Sequence, residues 1–121
     1  MSPEEVVAAF IAAIEQRDID AALAHLAPDC EYDNVPMSKA LGHEAVRAVL
    51  GPFVQGATAV EFKVLRQAAA GRVVLNERLD RFEVNGRWIE IPVAGVWEVE
   101  GGKIALWRDY FDLAQLTSQM G

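Results

Sequence analysis

Three short breaks punctuate the second half of this chain: "AGR" around Gly71, Asn85-Gly86, and Gly101-Gly102 after Glu100. Between them lie four strand-like segments, residues 58–69, 72–84, 87–99 and 103–113. Asn-Gly and Gly-Gly pairs supply the positive φ angles of tight hairpin turns. Strands joined by such turns must run antiparallel to their neighbours, so this half predicts a meander.

The first half has a different period. Ser2 reads as an N-cap, Pro3 as N1, and Glu5 completes a capping box. Val6, Val7, Phe10, Ile11 and Ile14 follow at helical spacing, giving one apolar stripe. A second helix is expected from Asp18 or Asp20 through Leu23 and Leu26, stopped near Pro28. "CEYDNVP" reads as a short strand ending at Pro36. "GHEAVRAVLGPFV" reads as a third helix with Val46, Val49 and Leu50 inward, broken or kinked at Gly51-Pro52. Helices followed by a meander predict an α+β fold in one domain over 1–121. A curved sheet wrapped against helices leaves a cone-shaped pocket, the default place for a site.

Composition removes several classes of function. The formal net charge is −7, which argues against nucleic acid or an anionic membrane as partner. Cys30 is the single cysteine, so no internal disulfide can form and a reducing cytoplasm is the expected compartment. Two histidines and one cysteine cannot supply the usual ligand set of a zinc site. No apolar run reaches membrane-spanning length, and "MSPEEVVAAF" lacks the basic start of a signal peptide.

Charged residues then turn up where a core is expected. In "NERLDRF", Asn76, Arg78, Asp80 and Phe82 share a face with Val74, while Leu75, Glu77, Leu79 and Arg81 take the other. Taken alone this reads as a solvated edge strand with ordinary surface pairs. The next strand, however, presents Arg87, Ile89, Ile91, Val93, Gly95, Trp97 and Val99 on one largely apolar face. The last strand offers Ala105, Trp107, Asp109, Phe111 and Leu113, a carboxylate between large aromatics. If these faces line one pocket, Arg78 is the cation between Asp80 and Asp109, and its fork can hold both. Such a buried triad can also be purely structural, though it is a poor stabiliser beside well-packed apolar side chains.

Tyr32 and Asn34 point the same way on their strand, and a phenol with an amide can fix a water. The plainer reading is a core tyrosine and a turn-favouring Asn before Pro36. With a held water, Asp109 is a general base and Asp80 the matching acid. Two desolvated carboxyls sharing one Arg need not both ionise, so one can keep a proton near neutral pH. His25 and His43 lie on helices and read as surface residues. No G-x-S-x-G is present to support a serine nucleophile.

"EYDNVP", "NERLDRF" and "LWRDYFDL", in that order, resemble the limonene-1,2-epoxide hydrolase family over nearly the whole chain. That family has the cone-shaped α+β fold of nuclear transport factor 2, ketosteroid isomerase and SnoaL-like proteins. The resemblance implies a strongly curved, mixed but mainly antiparallel sheet, wrapped with N-terminal helices around an apolar pocket. It carries water positioning to Tyr32 and Asn34, bridging to Arg78, the acid to Asp80 and the base to Asp109. It implies one-step addition of water to an epoxide to give a vicinal diol, no metal or cofactor, and a homodimer packed through the outer face of the sheet. The chain is expected to start immediately before its first capped helix, without the leading extension of the limonene enzyme. Limonene itself is therefore not the expected substrate.

Ile89, Ile91, Val93, Trp97, Trp107 and Phe111 suggest an apolar epoxide, although the same residues can be core. Met37 lines the mouth or fills a gap. Two other functions use the same features. A ketosteroid-type isomerase explains the two aspartates but leaves Tyr32 and Asn34 idle. A non-catalytic binding module leaves all five polar positions idle.

Overall fold

The computed structural model describes residues 1–120. Helix α1 spans Pro3–Glu15 and opens on the expected capping box. Glu5 N–H donates to Ser2 Oγ (3.2 Å) and Ser2 N–H to Glu5 Oε1 (2.7 Å). Its stripe of Val6, Val7, Phe10, Ile11 and Ile14 is buried. A short α2, Ile19–Leu23, is capped by the Asp18 carboxylate. Then come β1 (Leu26–Asn34), β2 (Ser38–Leu41), α3 (Gly42–Gly56), β3 (Ala59–Ala70), β4 (Val73–Val84), β5 (Arg87–Glu100), β6 (Lys103–Tyr110) and α4 (Leu113–Met120).

The six strands form one mixed sheet in the order β2-β1-β6-β5-β4-β3. Only β1 and β6 run parallel; every other pair is antiparallel. The hairpin turns sit where the glycines predict, with Asn85 (φ 54°), Gly86 (φ 76°), Gly101 (φ 57°) and Gly102 (φ 78°) all left-handed. β3–β4, β5–β6 and β1–β6 each carry a register shift. Such irregularities bend strands, which lets a sheet wrap helices. Alternation decides the core: Ile89, Ile91, Val93, Trp97 and Val99 of β5 are all buried on the helix-covered face. Among the described residues no helix is long and apolar enough to cross a membrane.

Several expectations need correction. β4 is an interior strand between β3 and β5, not a solvated edge. α2 ends at Leu23, and Leu26 begins β1 with Pro28 inside the strand. Pro28 is tolerated because the β1–β6 register shifts between Leu26 and Glu31, where a missing N–H costs no regular ladder bond. α3 continues past Pro52 to Gly56; buried Val54, and Phe53 packed edge-on to Phe82 (5.0 Å), hold its last turn. β2 adds a strand that periodicity did not signal. β6 stops at Tyr110, so Phe111 lies beyond it and Leu113 starts α4 instead of facing the pocket from a strand.

Candidate active site

β6 places Trp107 and Asp109 on the inner face, and β4 places Asn76, Arg78 and Asp80 there two residues apart. Between these strands runs β5. Adjacent strands lie about 4.8 Å apart, so a side chain on β4 must cross a whole strand to meet one on β6. Arg78 is long enough, and Gly95 leaves the path open. Gly95 faces Asn76 on one side and Asp109 on the other. A Cβ there would collide with Arg78 Nη1 and stand 2.7 Å from Asn76 Oδ1 and 3.0 Å from Trp97 Nε1. A glycine in a buried strand marks such a close approach.

The guanidinium is fully buried and shared between two carboxylates. Nε and Nη2 donate to the two oxygens of Asp80 at 2.9 and 3.0 Å, and Nη2 also donates to Asp109 Oδ2 at 2.9 Å. Nη1 donates to Asn76 Oδ1 at 3.0 Å. The rings of Phe62 and Trp97 lie 5.3 and 5.4 Å from its Cζ. Trp107 Nε1 donates to Asp109 Oδ1 at 3.0 Å, and Trp97 Nε1 to Asn76 Oδ1 at 3.1 Å. No buried side-chain nitrogen or oxygen among the described residues lacks a partner. A network so satisfied is rigid, and its geometry is set before any ligand arrives.

Parallel pairing brings the remaining two residues to the same place. Tyr32 faces Trp107 across the β1–β6 ladder and Asn34 faces Asp109. Asn34 Nδ2 donates to Tyr32 Oη at 2.9 Å. The Tyr32 ring stacks on Trp107 (3.9 Å), Trp107 stacks on Trp97 (5.3 Å), and Phe10 of α1 meets both indoles edge-on. The aromatic layer thus fixes the polar groups by packing as well as by hydrogen bonds.

Burial governs the electrostatics. It drives the Asp109 carboxyl up to about 6, with the neighbouring Asp80 adding to the rise and Arg78 opposing it. Asp80 is also raised by burial, against the pull of Arg78. Burial and the charge of Asp109 raise the Tyr32 phenol, which stays protonated. Arg78 is held charged because Asp109 and Asp80 outweigh its own desolvation. A carboxyl near 6 is mostly ionised at neutral pH yet basic enough to accept a proton from water.

Tyr32, Asn34, Asp80 and Asp109 all open onto one cavity of about 270 Å³. Its other walls are carbon. Val49, Leu50 and Phe53 come from α3, Phe62 and Phe82 from β3 and β4, and Ile91, Val93 and Trp107 from β5 and β6. Met37, Phe111 and Leu116 complete the lining, and Met37 is more than half exposed in the β1–β2 turn. Ile89 and Trp97, both expected at the pocket, are buried in the core and do not line it; Ile89 faces Phe82 toward the far end of β5. Arg78 lies beneath the lining. Among the described residues no group of three or more His, Cys, Asp and Glu side chains is placed to hold a metal ion.

Sequence reasoning missed two parts of this arrangement. Asn76 was legible as sharing a face with Arg78, and Gly95 as a gap in an apolar face, but nothing joined them. The α3 wall and Leu116 of α4 carry no motif at all.

Known proteins share the family and the fold. The model of the limonene-1,2-epoxide hydrolase catalytic domain matches residues 1–121. The epoxide hydrolase EphG of Mycobacterium tuberculosis (strain ATCC 25618 / H37Rv) is 38% identical over 107 residues, 88% of this chain and 71% of that protein. A solved structure of an M. tuberculosis epoxide hydrolase of the same type superposes with a TM-score of 0.83 at 36% identity, covering 95% of this chain and 86% of the other. A SnoaL-like protein from Shewanella denitrificans OS-217 shares the fold, with a TM-score of 0.88 at 15% identity and 98% and 96% coverage. A matched whole-length family model, a relative well above chance identity and a site with Tyr32, Asn34, Asp80 and Asp109 on one cavity above Arg78 lead to one conclusion: the chain belongs to the limonene-1,2-epoxide hydrolase family and is an epoxide hydrolase.

Proposed function

We propose that this epoxide hydrolase adds water to an apolar epoxide in one step, with no covalent enzyme intermediate. Asp109 takes a proton from a water held by Tyr32 and Asn34. The water oxygen attacks an epoxide carbon, the carbon–oxygen bond of the ring breaks, and Asp80 protonates the leaving oxygen to give a vicinal diol. The carboxyl pair then holds one proton before and after the step, on Asp80 at the start and on Asp109 at the end. Arg78 keeps the pair plus its own charge neutral throughout, so no uncompensated charge develops in a buried site. The observation that carries this reading is the single buried guanidinium hydrogen-bonded to both carboxylates, Asp80 and Asp109, at the polar part of an otherwise apolar cavity.

The apolar walls support an epoxide whose substituents are hydrocarbon. The outer sheet face carries exposed Leu75, Trp88 and Tyr110, which supports a homodimer packed through that face. The lone buried Cys30 supports a cytoplasmic setting.

The test of the one-step route is a single turnover in heavy-oxygen water with enzyme in excess. Direct attack puts label into the first diol. An ester route puts an unlabelled carboxylate oxygen there and leaves label on the protein; unlabelled first diol overturns the one-step mechanism.

A further inference from the structure

Arg78 can bridge Asp80 and Asp109 only if its plane is fixed, and both carboxylates bind the Nε/Nη2 edge. The opposite nitrogen, Nη1, needs its own acceptor. Asn76 supplies it from two residues upstream on the same strand face, at 3.0 Å. The same Oδ1 accepts from Trp97 Nε1, and Asn76 Nδ2 donates to Gln67 on β3 at 3.3 Å. Asn76 is almost fully buried and does not line the cavity. Gly95 makes the room, since any side chain there would strike Arg78, Asn76 and Trp97 together.

We propose that Asn76 is a positioning residue for epoxide opening: a neutral acceptor, cradled by Trp97 over Gly95, that orients Arg78 without adding a third negative charge to the carboxyl pair. The inference rests on Asp109 and Asp80 acting as base and acid. Its physical content is a count. One cation and two carboxyls are neutral with one proton aboard, the state the proposed step needs at both ends. A carboxylate at position 76 would compete for Arg78 and favour further protonation of the pair. An aliphatic residue would leave Nη1 and the Trp97 indole unpaired and let the guanidinium turn. The charged or titratable groups facing this cradle are Arg78 and Asp80 on β4, Asp109 on β6 and Tyr32 on β1, and the exposed Arg66–Glu77 ion pair of β3 and β4 borders the surface depression that Asn76 and Gln67 also line. From the other elements it meets Gln67 and Phe62 of β3, Gly95 and Trp97 of β5 and, through Trp97, Phe10 of α1, none of which titrates.

The test compares Asn76→Ala, Asn76→Asp and Asp109→Asn on any epoxide that the parent enzyme turns over, with kcat, KM and their pH profiles. Asn76→Ala is expected to lower kcat about tenfold or more, with KM changed less than about twofold, because only the orientation of buried groups is lost. Asn76→Asp keeps an acceptor for both donors, and its acidic limb is expected to move up by about one pH unit. An unmoved limb in Asn76→Asp, parental kcat in Asn76→Ala, or a loss confined to KM overturns the assignment. If Asn76→Ala does not fold, the limb of Asn76→Asp decides alone. An active Asp109→Asn would instead overturn the base assignment beneath it, so the two failures are told apart.

Discussion

Strand β6 carries two arginine-centred triads, one on each face, and they differ in almost every physical respect. On the inner face Asp109 meets Arg78, which also holds Asp80; the arginine is fully buried and both acids nearly so. On the outer face Arg108 donates to Asp33 (2.9 Å) and Glu31 (3.0 Å) of β1, with each side chain still partly in water. The hydrogen-bond lengths are the same. What differs is the solvent. Water screens the outer triad and would solvate any member left alone, so each ion pair there is worth at most about 1 kcal/mol. The inner triad has no such refuge, and removing one member strands a charge. Equal geometry therefore means clamping in one place and pKa control in the other. The outer triad ties β1 to β6 at the register that sets Tyr32 and Asn34 beside Asp109; the inner one sets the proton.

The most severe test of this contrast is Arg78→Ala. It leaves two buried carboxyls without their cation and is expected to cost about 3–5 kcal/mol of stability together with activity. Urea unfolding and diol formation measure both. A variant as stable and active as the parent would erase the difference between the faces.

Asp109→Asn removes the proposed base and nearly preserves shape, so turnover should vanish while the fold persists; Asp80→Asn, at the proposed acid, should be similarly damaging, because an amide cannot deliver a proton. Retained turnover in either, followed by product analysis, would reassign the role.

The inner pair also predicts a pH dependence of stability with an unusual sign. Asp109 is raised from 3.8 to about 6 by burial, so the folded protein holds a proton that the unfolded chain has released. The stabilisation is fully present below about pH 4 and is lost as pH rises through about 6. The shift corresponds to roughly 3 kcal/mol. Parent and Asp109→Asn, unfolded in urea at pH 5 and pH 7.5, should differ in this sense. A gap between them that does not change with pH would mean that Asp109 is not titrating as described. Activity should fall on the acidic side of about pH 6, where Asp109 is protonated.

Tyr32→Phe should be milder, since on the proposed mechanism Asn34 and Asp109 remain to hold the water. A reduced kcat is expected, and complete loss would give the phenol a further role. The smallest effect belongs to the outer face. Arg108→Ala should cost about 1 kcal/mol or less, shrinking further in high salt, whereas the cost of Arg78→Ala should be nearly independent of salt. Unfolding both variants at low and high ionic strength makes the comparison directly.

Much of this was written locally. A capping box needs only residues 2 to 5, and the turn glycines need only their own φ angles. Alternation on one strand is enough to put Arg78 with Asp80 and Trp107 with Asp109 on common faces. The sequence alone therefore determined the class of fold, the strands that bear charge, and the five polar positions. Strand partnership was not local. That β1 runs parallel beside β6, that β5 separates Arg78 from Asp109, and that Gly95 is the gap between them follow from the order of strands in the sheet. The same holds for Ile89, whose place along β5 put it in the core and away from the cavity, and for α4, whose Leu116 reaches the lining without a single buried residue in its helix. Pro28 entered a strand because its neighbours on β6 made no demand for its missing N–H. Propensity and period act over a few residues, while burial depends on what the rest of the chain brings alongside. The raised carboxyls of Asp80 and Asp109 belong to that second kind: their charge is written in the sequence, but the removal of water around them is the work of the whole sheet and the helices packed on it.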